Sequence, residues 1–168
     1  TSGLKAALLA DLEPLIESFT AMRAAEGAAL ARDLGTQIDT VARLTEAAQT
    51  AAEARRPEAA TALKAALARV MDNTDGADEA RIAQELALLA VKADVSEEIV
   101  RLRAHVDAAR ALLEGGSPLG RKLDFLTQEF NREANTLCAK AGSAALTSIG
   151  LDLKAVIDQM REQVQNVE

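Results

Sequence analysis

The sequence contains few of the residues that build disulfide-bonded, membrane-spanning or β-rich proteins. Its one cysteine, Cys138, excludes an intrachain disulfide and fits a reducing compartment such as the cytoplasm. We expect Cys138 to be a small packing residue on a helix flank. No apolar run reaches the roughly 20 residues of a membrane span, and no signal peptide is recognisable. Tryptophan and tyrosine are absent and aromatic residues make up 2% of the chain, which favours helices over strands.

Basic charge is also scarce. The chain carries 19 lysine and arginine residues against 26 acidic ones, giving a net charge of −7 and an isoelectric point of about 4.9. A protein that coats nucleic acid needs clustered cations, so this class is disfavoured. A local basic patch or a metal ion still allows an enzyme that acts on RNA. A Gly-rich phosphate loop, a CxxC pair and a GxSxG motif are all absent from the sequence.

The residues that are abundant point to helices. The 168 residues are rich in alanine, leucine, glutamate, arginine and lysine, and the length suffices for one domain with a core. We predict an all-α fold of long antiparallel helices, a helical bundle with a coiled-coil-like extension and about six helices in total. Because alanine buries little area, we also expect such helices to complete their core against another copy, in a homo-oligomer, or against another domain.

The first part of the chain, residues 1–76, predicts a long, coiled-coil-like helical hairpin. Residues 4–53 form one or two helices with apolar residues at three- and four-residue steps, and Pro14 predicts a break or kink. Another helix is expected over residues 57–71, since a proline suits the first turn. Residues 72–76, Asp-Asn-Thr-Asp-Gly, predict a turn. The first apolar positions are Leu4, Leu8, Leu12, Leu15, Phe19 and Met22.

The second part, residues 77–168, predicts a C-terminal helical domain. Four helices are expected, over residues 77–93, 96–114, 118–141 and 145–165. Ser96 is expected to cap the second of them, and Gly115-Gly116 to end it. Ser117 would cap the third, with Pro118 at its first helical position.

The helix predicted over residues 118–141 carries more polar residues than its packing needs. Its apolar stripe is narrow and consists of Leu119, Leu123, Leu126, Phe130, Ala134 and Leu137. The polar residues beside the stripe are Lys122, Glu129, Glu133 and Lys140. Those on the far side are Asp124, Gln128, Asn131 and Asn135, with Arg121, Phe125 and Arg132 in between. Asparagine and aspartate each disfavour a helix by roughly 0.5–0.7 kcal/mol relative to alanine.

Two interpretations of this polar side remain open. It is a solvated surface whose ion pairs are each worth a few tenths of a kcal/mol, or it is a surface that holds a partner. Amides and guanidinium groups donate hydrogen bonds to phosphate, and an exposed ring can stack on a base. A row of amides beside two arginines suits the second interpretation better.

The helix predicted over residues 96–114 places Glu98, Arg101 and His105 on one side. His105 is the only histidine, and a lone histidine is more often a packed or solvent-exposed residue than a catalyst. Its alignment with an acid and an arginine within two turns strengthens the case for catalysis.

A divalent metal is a further hypothesis. Glu129 and Glu133 lie one turn apart, so their carboxylates converge, and Asp124 or Glu98 would complete the ligand set. Acidic pairs at this spacing are common by chance, so the pattern alone is a weak signal.

Several segments resemble the YicC family of bacterial proteins, historically called stress-induced and now regarded as endoribonucleases. GRKLDFLTQEFNREANTLCAKA, residues 120–141, is similar to the family signature G-R-K-L-D-F-L-x-Q-E-x-N-R-E-x-N-T-x-x-S-K-A. RIAQELALLAVKADVSEEIVRLRAH (81–105), MRAAEGAAL (22–30) and EQVQNVE (162–168) also resemble family segments. The resemblance covers nearly the whole chain and is densest from Arg81 onward.

The resemblance implies RNA cleavage assisted by a divalent metal, Mg²⁺ or Mn²⁺, and ring-like oligomers such as hexamers. It also implies a preceding domain of mixed α/β type that this chain lacks, so we expect the chain to be the C-terminal helical part of a longer protein. Two positions depart from the family pattern. Ala104 and Ala139 stand where the family has serines, so those hydroxyls are not essential nucleophiles here.

The resemblance supports a functional surface on this helix but does not assign roles to its residues, which are a separate hypothesis from their chemistry. The catalytic residues would be His105, Glu129, Glu133 and Asp124, of which the last three would also hold the metal. The RNA-binding residues would be Arg101, Arg121, Lys122, Gln128, Asn131, Arg132, Asn135 and Lys140. Cleavage would use metal-assisted attack by water, or attack by the 2′-hydroxyl with His105 or Glu133 as base.

A second function is left open by the sequence. The chain would then be a non-catalytic helical oligomerisation module, and catalysis would belong to a partner domain missing from it. Because its net charge is −7, we expect the chain alone to be weakly active or inactive on RNA.

Overall fold

The computed structural model describes residues 2–72, 79–116 and 118–167, and these ranges are helical almost throughout. Within them lie five helices and no strand, which confirms the all-α class: α1 Ser2–Asp72, α2 Glu79–Lys92, α3 Ser96–Gly115, α4 Gly120–Lys140 and α5 Ala144–Val164. The predicted count of about six is wrong, because the two helices expected before residue 72 are one. No described helix combines the length and apolarity needed to cross a membrane.

Helix α1 runs for 71 residues and passes through both of its prolines. The break predicted at Pro14 and the hairpin predicted over residues 1–76 are therefore wrong. A proline removes one backbone hydrogen bond and crowds the preceding turn, but the residues around Pro57 are largely alanine, glutamate and arginine, which favour helix strongly. The division into two domains near residue 76 stays a prediction, because residues 73–78 lie outside the described ranges.

The core lies between the second half of α1 and helices α3, α4 and α5, which pack on one another. Every described side chain of residues 2–28 is exposed, whereas α1 buries apolar residues at helical spacing from Leu34 onward. The α1 residues of the core are Leu34, Ile38, Val41, Leu44 and Ala48. The largest contributions of the other three helices are Ile99, Leu102, Phe130, Leu137, Leu146, Leu153 and Ile157.

The helix ends have local causes that the sequence only partly predicted. Helix α3 ends at Gly115, and Gly116 adopts the left-handed region with φ of +77°, as expected of the glycine pair. Ser143 caps α5 by accepting a hydrogen bond from the Leu146 amide at 3.2 Å. Helix α4 begins at Gly120, so Pro118 precedes the helix instead of starting it. The predicted cap Ser117 lies outside the described residues.

The start of α3 is stabilised by Asp94 and not by Ser96 as predicted. Asp94 Oδ1 accepts hydrogen bonds from the Ser96 hydroxyl at 2.6 Å and from the Ser96 amide at 2.9 Å, an Asx turn that satisfies a free amide of the first turn. These two hydrogen bonds hold the pKa of the Asp94 carboxyl below its usual range.

Two exposed ion pairs join α1 to the side of α3 that faces away from α4. Arg103 binds Glu46 through Nε at 2.7 Å and Nη2 at 2.8 Å, and Arg110 Nη2 lies 2.8 Å from Asp39 Oδ1. The guanidinium of Arg103 lowers the pKa of the Glu46 carboxyl. Exposed pairs contribute little stability, but they fix the rotation of α3 and so direct His105 toward α4.

The junction after α4 is held by α1. Arg55 Nη1 donates a hydrogen bond of 2.6 Å to the Ala141 carbonyl, which belongs to the free carbonyls at the end of α4. Gly142 follows with φ of +54°, and a β-carbon there would lie 2.6 Å from Arg55 Nη2. Glycine therefore allows both the turn and the arginine contact.

We predict that Gly150→Ala destabilises the bundle by about 1–3 kcal/mol, because overpacking a closed contact forces neighbouring atoms to move. An added β-carbon at Gly150 would lie 2.5 Å from Cys138 Sγ and 3.2 Å from Leu137 Cδ2. Urea unfolding followed by circular dichroism measures the effect. The matched control is Gly35→Ala in α1, where nothing lies within 4 Å of the added carbon, so stability should stay equal or rise by about 0.5–1 kcal/mol. Equal behaviour of the two variants would contradict the close α4–α5 contact.

We predict that Asp94→Ala costs about 1 kcal/mol of stability at pH 7 through loss of the α3 cap. Because folding lowers the pKa of Asp94, its contribution is complete above the unfolded pKa of about 3.9 and disappears as the pH falls through the lower folded pKa. Unfolding free energies measured from pH 7 to pH 2 should therefore converge for wild type and variant at the acid end. Asp152→Ala, at an exposed position of α5, is the control. A difference that persists undiminished at pH 2 would refute the role of the ionised carboxyl.

Candidate functional site

The antiparallel contact between α3 and α4 carries a row of polar side chains, which we call the polar seam. It consists of Glu98, Arg101 and His105 from α3 and Glu129, Glu133 and Lys140 from α4. Steps of three, four and seven residues place each set on one face of its helix. Contacts pair the start of one set with the end of the other, as the antiparallel direction requires.

Three members of the polar seam converge. One ligand atom each from His105, Glu129 and Glu133 lies within 4.8 Å of the others, with Glu133 buried and the other two half-buried. The His105 ring meets the Phe130 ring nearly edge-on, with centroids 5.8 Å apart and planes at 77°, a favourable arrangement that orients the imidazole. An imidazole nitrogen and two carboxylates form a donor set that suits a divalent cation or proton transfer.

Glu133 is the deepest member, with a side chain that is 3% exposed. Arg101 Nη1 lies 3.4 Å from its Oε1, and Arg101 also pairs with Glu97 on its own helix. A buried carboxylate is costly without a partner, so Arg101 neutralises Glu133 from across the contact. The predicted RNA contact of Arg101 stays a prediction, and its guanidinium is already held by two carboxylates.

Glu98 and Lys140 form the other buried pair of the seam. Lys140 Nζ donates a hydrogen bond of 2.8 Å to Glu98 Oε1, and the Glu98 side chain is 4% exposed. Glu98 Oε2 is buried and has no hydrogen-bond partner among the described residues. Lys140, which we predicted as an RNA-binding residue, therefore neutralises a buried acid in this structure.

Asp124 does not join the three converging residues. Its carboxylate accepts a hydrogen bond of 2.9 Å from Gln128 Nε2 on the outer side of α4. Of the predicted metal ligands, the structure thus brings together Glu129 and Glu133, and His105 takes the third place. The position of His105 beside these two acids depends on how α3 is rotated against α4. The periodicity of α4 alone does not predict that rotation.

The outer side of α4 is open to solvent. Arg121, Lys122, Gln128, Arg132 and Asn135 are exposed, and Asn131 is half-buried. Asn135 Nδ2 donates to Asn131 Oδ1 at 3.1 Å. Arg132 Nη1 lies 3.9 Å from Glu129 Oε2, so its guanidinium borders the converging carboxylates. With the exception of Lys140, which pairs with Glu98, the predicted RNA-binding residues of α4 are accessible to a partner, and their contact with RNA stays a prediction.

The sequence interpretation missed several contributors to this site. Phe130 was placed in the apolar stripe without its contact to His105, and neither Arg55 nor the pairing of Arg101 with Glu133 was expected. Each depends on a contact between helices that are distant in the chain. The signal that the sequence offers for such a partner is the angular position of Glu133 beside the apolar stripe of its helix, since an acid at that edge is partly buried and needs a cation.

The chain matches a family described as "Endoribonuclease YicC-like, C-terminal" over residues 48–168. It is 39% identical to a protein named "Probable endoribonuclease YicC" from Haemophilus influenzae over 161 residues, which are 96% of this chain and 55% of that protein. It is 33% identical over 147 residues to a protein of the same name from Clostridioides difficile, covering 88% of this chain and 50% of that protein. The chain spans about half the length of these curated relatives. The resemblance seen in the sequence is thereby confirmed, and the chain belongs to the YicC-like endoribonuclease family, whose C-terminal region it matches.

Proposed function

We propose that the protein to which this chain belongs cleaves RNA, and that His105, Glu129 and Glu133 form its reaction centre. The observation that carries the proposal is the convergence of these three side chains within 4.8 Å. They lie at the edge of the exposed polar side of α4, where a long anionic chain can approach. The family name of the relatives supports RNA as the substrate.

The converging residues fit a divalent ion such as Mg²⁺ or Mn²⁺. Carboxylate oxygens suit both ions and the imidazole suits Mn²⁺ better. His105, Glu129 and Glu133 would hold the ion, and when bound it would supply a Lewis acid that stabilises the charge developing on the scissile phosphate. Asp124, bonded to Gln128 on the outer side, is not among these three.

The surrounding residues position the substrate and the acids. Arg101 Nη1 lies 3.4 Å from Glu133 Oε1 and fixes the position of that buried carboxylate. Arg132 and Arg121 are exposed on either side of Glu129 and bind the phosphates that flank the cleaved bond. These few cations supply a local basic surface on a chain whose net charge is −7.

Two chemical routes differ in the role of His105. In water attack assisted by a metal, His105 would hold the ion, and the products would carry a 5′-phosphate. In attack by the 2′-hydroxyl, His105 takes the proton, the new P–O2′ bond replaces the P–O5′ bond, and the 5′-oxygen leaves with a proton from solvent, which gives a 2′,3′-cyclic phosphate and a 5′-hydroxyl. Glu133 is the weaker candidate for the base, because it is 2% exposed and paired with Arg101.

A second function is favoured by a different observation. The apolar stripe at the start of α1 is exposed along its whole length, with Leu4, Leu8, Leu12, Leu15, Phe19 and Met22 between 46% and 68% exposed. Such a stripe at coiled-coil spacing suits a homo-oligomer such as a hexamer. The chain would then be an assembly module for a catalytic domain elsewhere in the protein. Cleavage of a hairpin RNA by this chain alone, tested with and without EDTA, separates the two functions.

We predict that Glu129→Gln lowers the rate of RNA cleavage at least about 100-fold, because it removes one charge from the reaction centre. Cleavage of a labelled hairpin RNA in Mn²⁺ buffer measures the rate, and isothermal titration with Mn²⁺ gives a readout that is independent of cleavage. His105→Ala should show the same two losses. Glu114→Gln, an identical charge change at the exposed end of α3, should leave both unchanged.

The ends of the products provide the second part of this test. We expect 5′-phosphate ends and a loss of activity in EDTA. Cyclic phosphate ends in EDTA would contradict the metal route and assign the base role to His105. Wild-type cleavage by Glu129→Gln would remove the proposed reaction centre altogether.

A further inference from the structure

Phe125 is the exception among the large apolar residues of α4. Its side chain is 60% exposed, whereas Leu123, Leu126, Phe130 and Leu137 of the same helix are all buried. In the described part of the chain its ring has neither an aromatic nor a cationic partner. The helix therefore forgoes the stabilisation that burial of a large ring would contribute. Two of the three phenylalanines are exposed, Phe19 near the start of α1 and Phe125 one turn before Glu129 of the proposed reaction centre.

The surroundings of this ring are polar and cationic. Arg121 lies one turn before it, Gln128 and Glu129 lie one turn after it, and Arg132 lies two turns after it on the same side. The core of a protein–protein interface is enriched in aromatic residues and arginine but depleted of lysine and acids. Lys122 and Glu129 also flank this ring, so the site suits a second copy of the chain less well. A flat ring between guanidinium and amide groups suits a nucleotide, which offers an apolar base face beside charged phosphate.

We infer that Phe125 is the stacking platform for an unpaired base of the RNA, next to the phosphate that is cleaved. A base inside a duplex has both of its faces covered by neighbouring bases, so only a nucleotide in a single strand, loop or bulge can use the ring. Side chains on a helix lean toward its N-terminus, which brings the Glu129 carboxylate over the turn that carries Phe125. The inference rests on the proposed function, because it takes RNA as the ligand of α4.

The test is a double-mutant cycle that combines a protein variant with an RNA variant. Fluorescence anisotropy in EDTA measures binding of a hairpin RNA with one bulged adenosine, and of the same hairpin with an abasic site at the bulge. Phe125→Leu should weaken binding of the first RNA about tenfold, and Phe125→Tyr should restore it because the ring is kept. The abasic RNA should bind wild type about tenfold more weakly and should show no further loss with Phe125→Leu. Leu89→Ala, an exposed apolar position on α2, should change nothing.

The remaining outcomes overturn the inference in distinguishable ways. Stacking is refuted if the loss of affinity from Phe125→Leu and the loss from the abasic site add together, or if Phe125→Leu binds the bulged RNA with full affinity. Neither result contradicts RNA cleavage. If Phe125→Leu instead lowers the mass measured by sedimentation with RNA affinity unchanged, the ring contacts a second copy. If wild type neither binds nor cleaves either RNA, the proposed function fails together with the inference.

Discussion

The structure depends on how two buried carboxylates are neutralised between α3 and α4. Glu98 and Glu133 lie almost wholly inside the bundle, where an unpaired charge would cost several kcal/mol. The cation for Glu98 comes from α4 and the cation for Glu133 comes from α3. Because each helix contributes one acid and one cation, both pairs form in the same antiparallel register. A shift of one helix by a turn would leave both acids without a cation.

This register also determines what the site contains. With Lys140 opposite Glu98 and Arg101 opposite Glu133, the next turn of α3 brings His105 to Glu129 and Glu133. Two of the cations predicted to bind RNA are committed to buried acids, so the cations left on the outer side of α4 are fewer than predicted. Arg121, Lys122 and Arg132 are the exposed ones there. If the proposed RNA binding holds, so few phosphate contacts would give a weak salt dependence and leave a larger share of binding to the ring and the amides.

Periodicity in the sequence predicted most of the helices well and the contacts between helices poorly. The stripe of α4, the glycine end of α3 and the Ser143 cap are local properties, and each could be predicted from residues within two turns. The continuity of α1 through Pro57 could not, because a missing hydrogen bond is outweighed by the helix propensity of the flanking residues and by packing of the segment before it. Asp124 was grouped with Glu129 and Glu133 because all three are acidic, although about 140° separates Asp124 from Glu129 around the helix.

The long helix α1 connects two different surfaces, the exposed apolar stripe at its start and the bundle that carries the polar seam. Its second half closes the core through Leu34, Ile38 and Val41, so the bundle of α3, α4 and α5 needs no apolar residue from residues 2–28. The apolar stripe of residues 2–28 is therefore a surface separate from the core. The continuous helix α1 connects it to the bundle. A helix of 71 residues extends for about 105 Å, so a partner on this stripe would be held at a fixed distance from the polar seam. Association would then take place on the first segment of α1, and RNA chemistry on α3 and α4, of which α3 contacts α1 at Asp39 and Glu46. Changes at Leu8 or Leu12 would therefore alter assembly without touching the reaction centre.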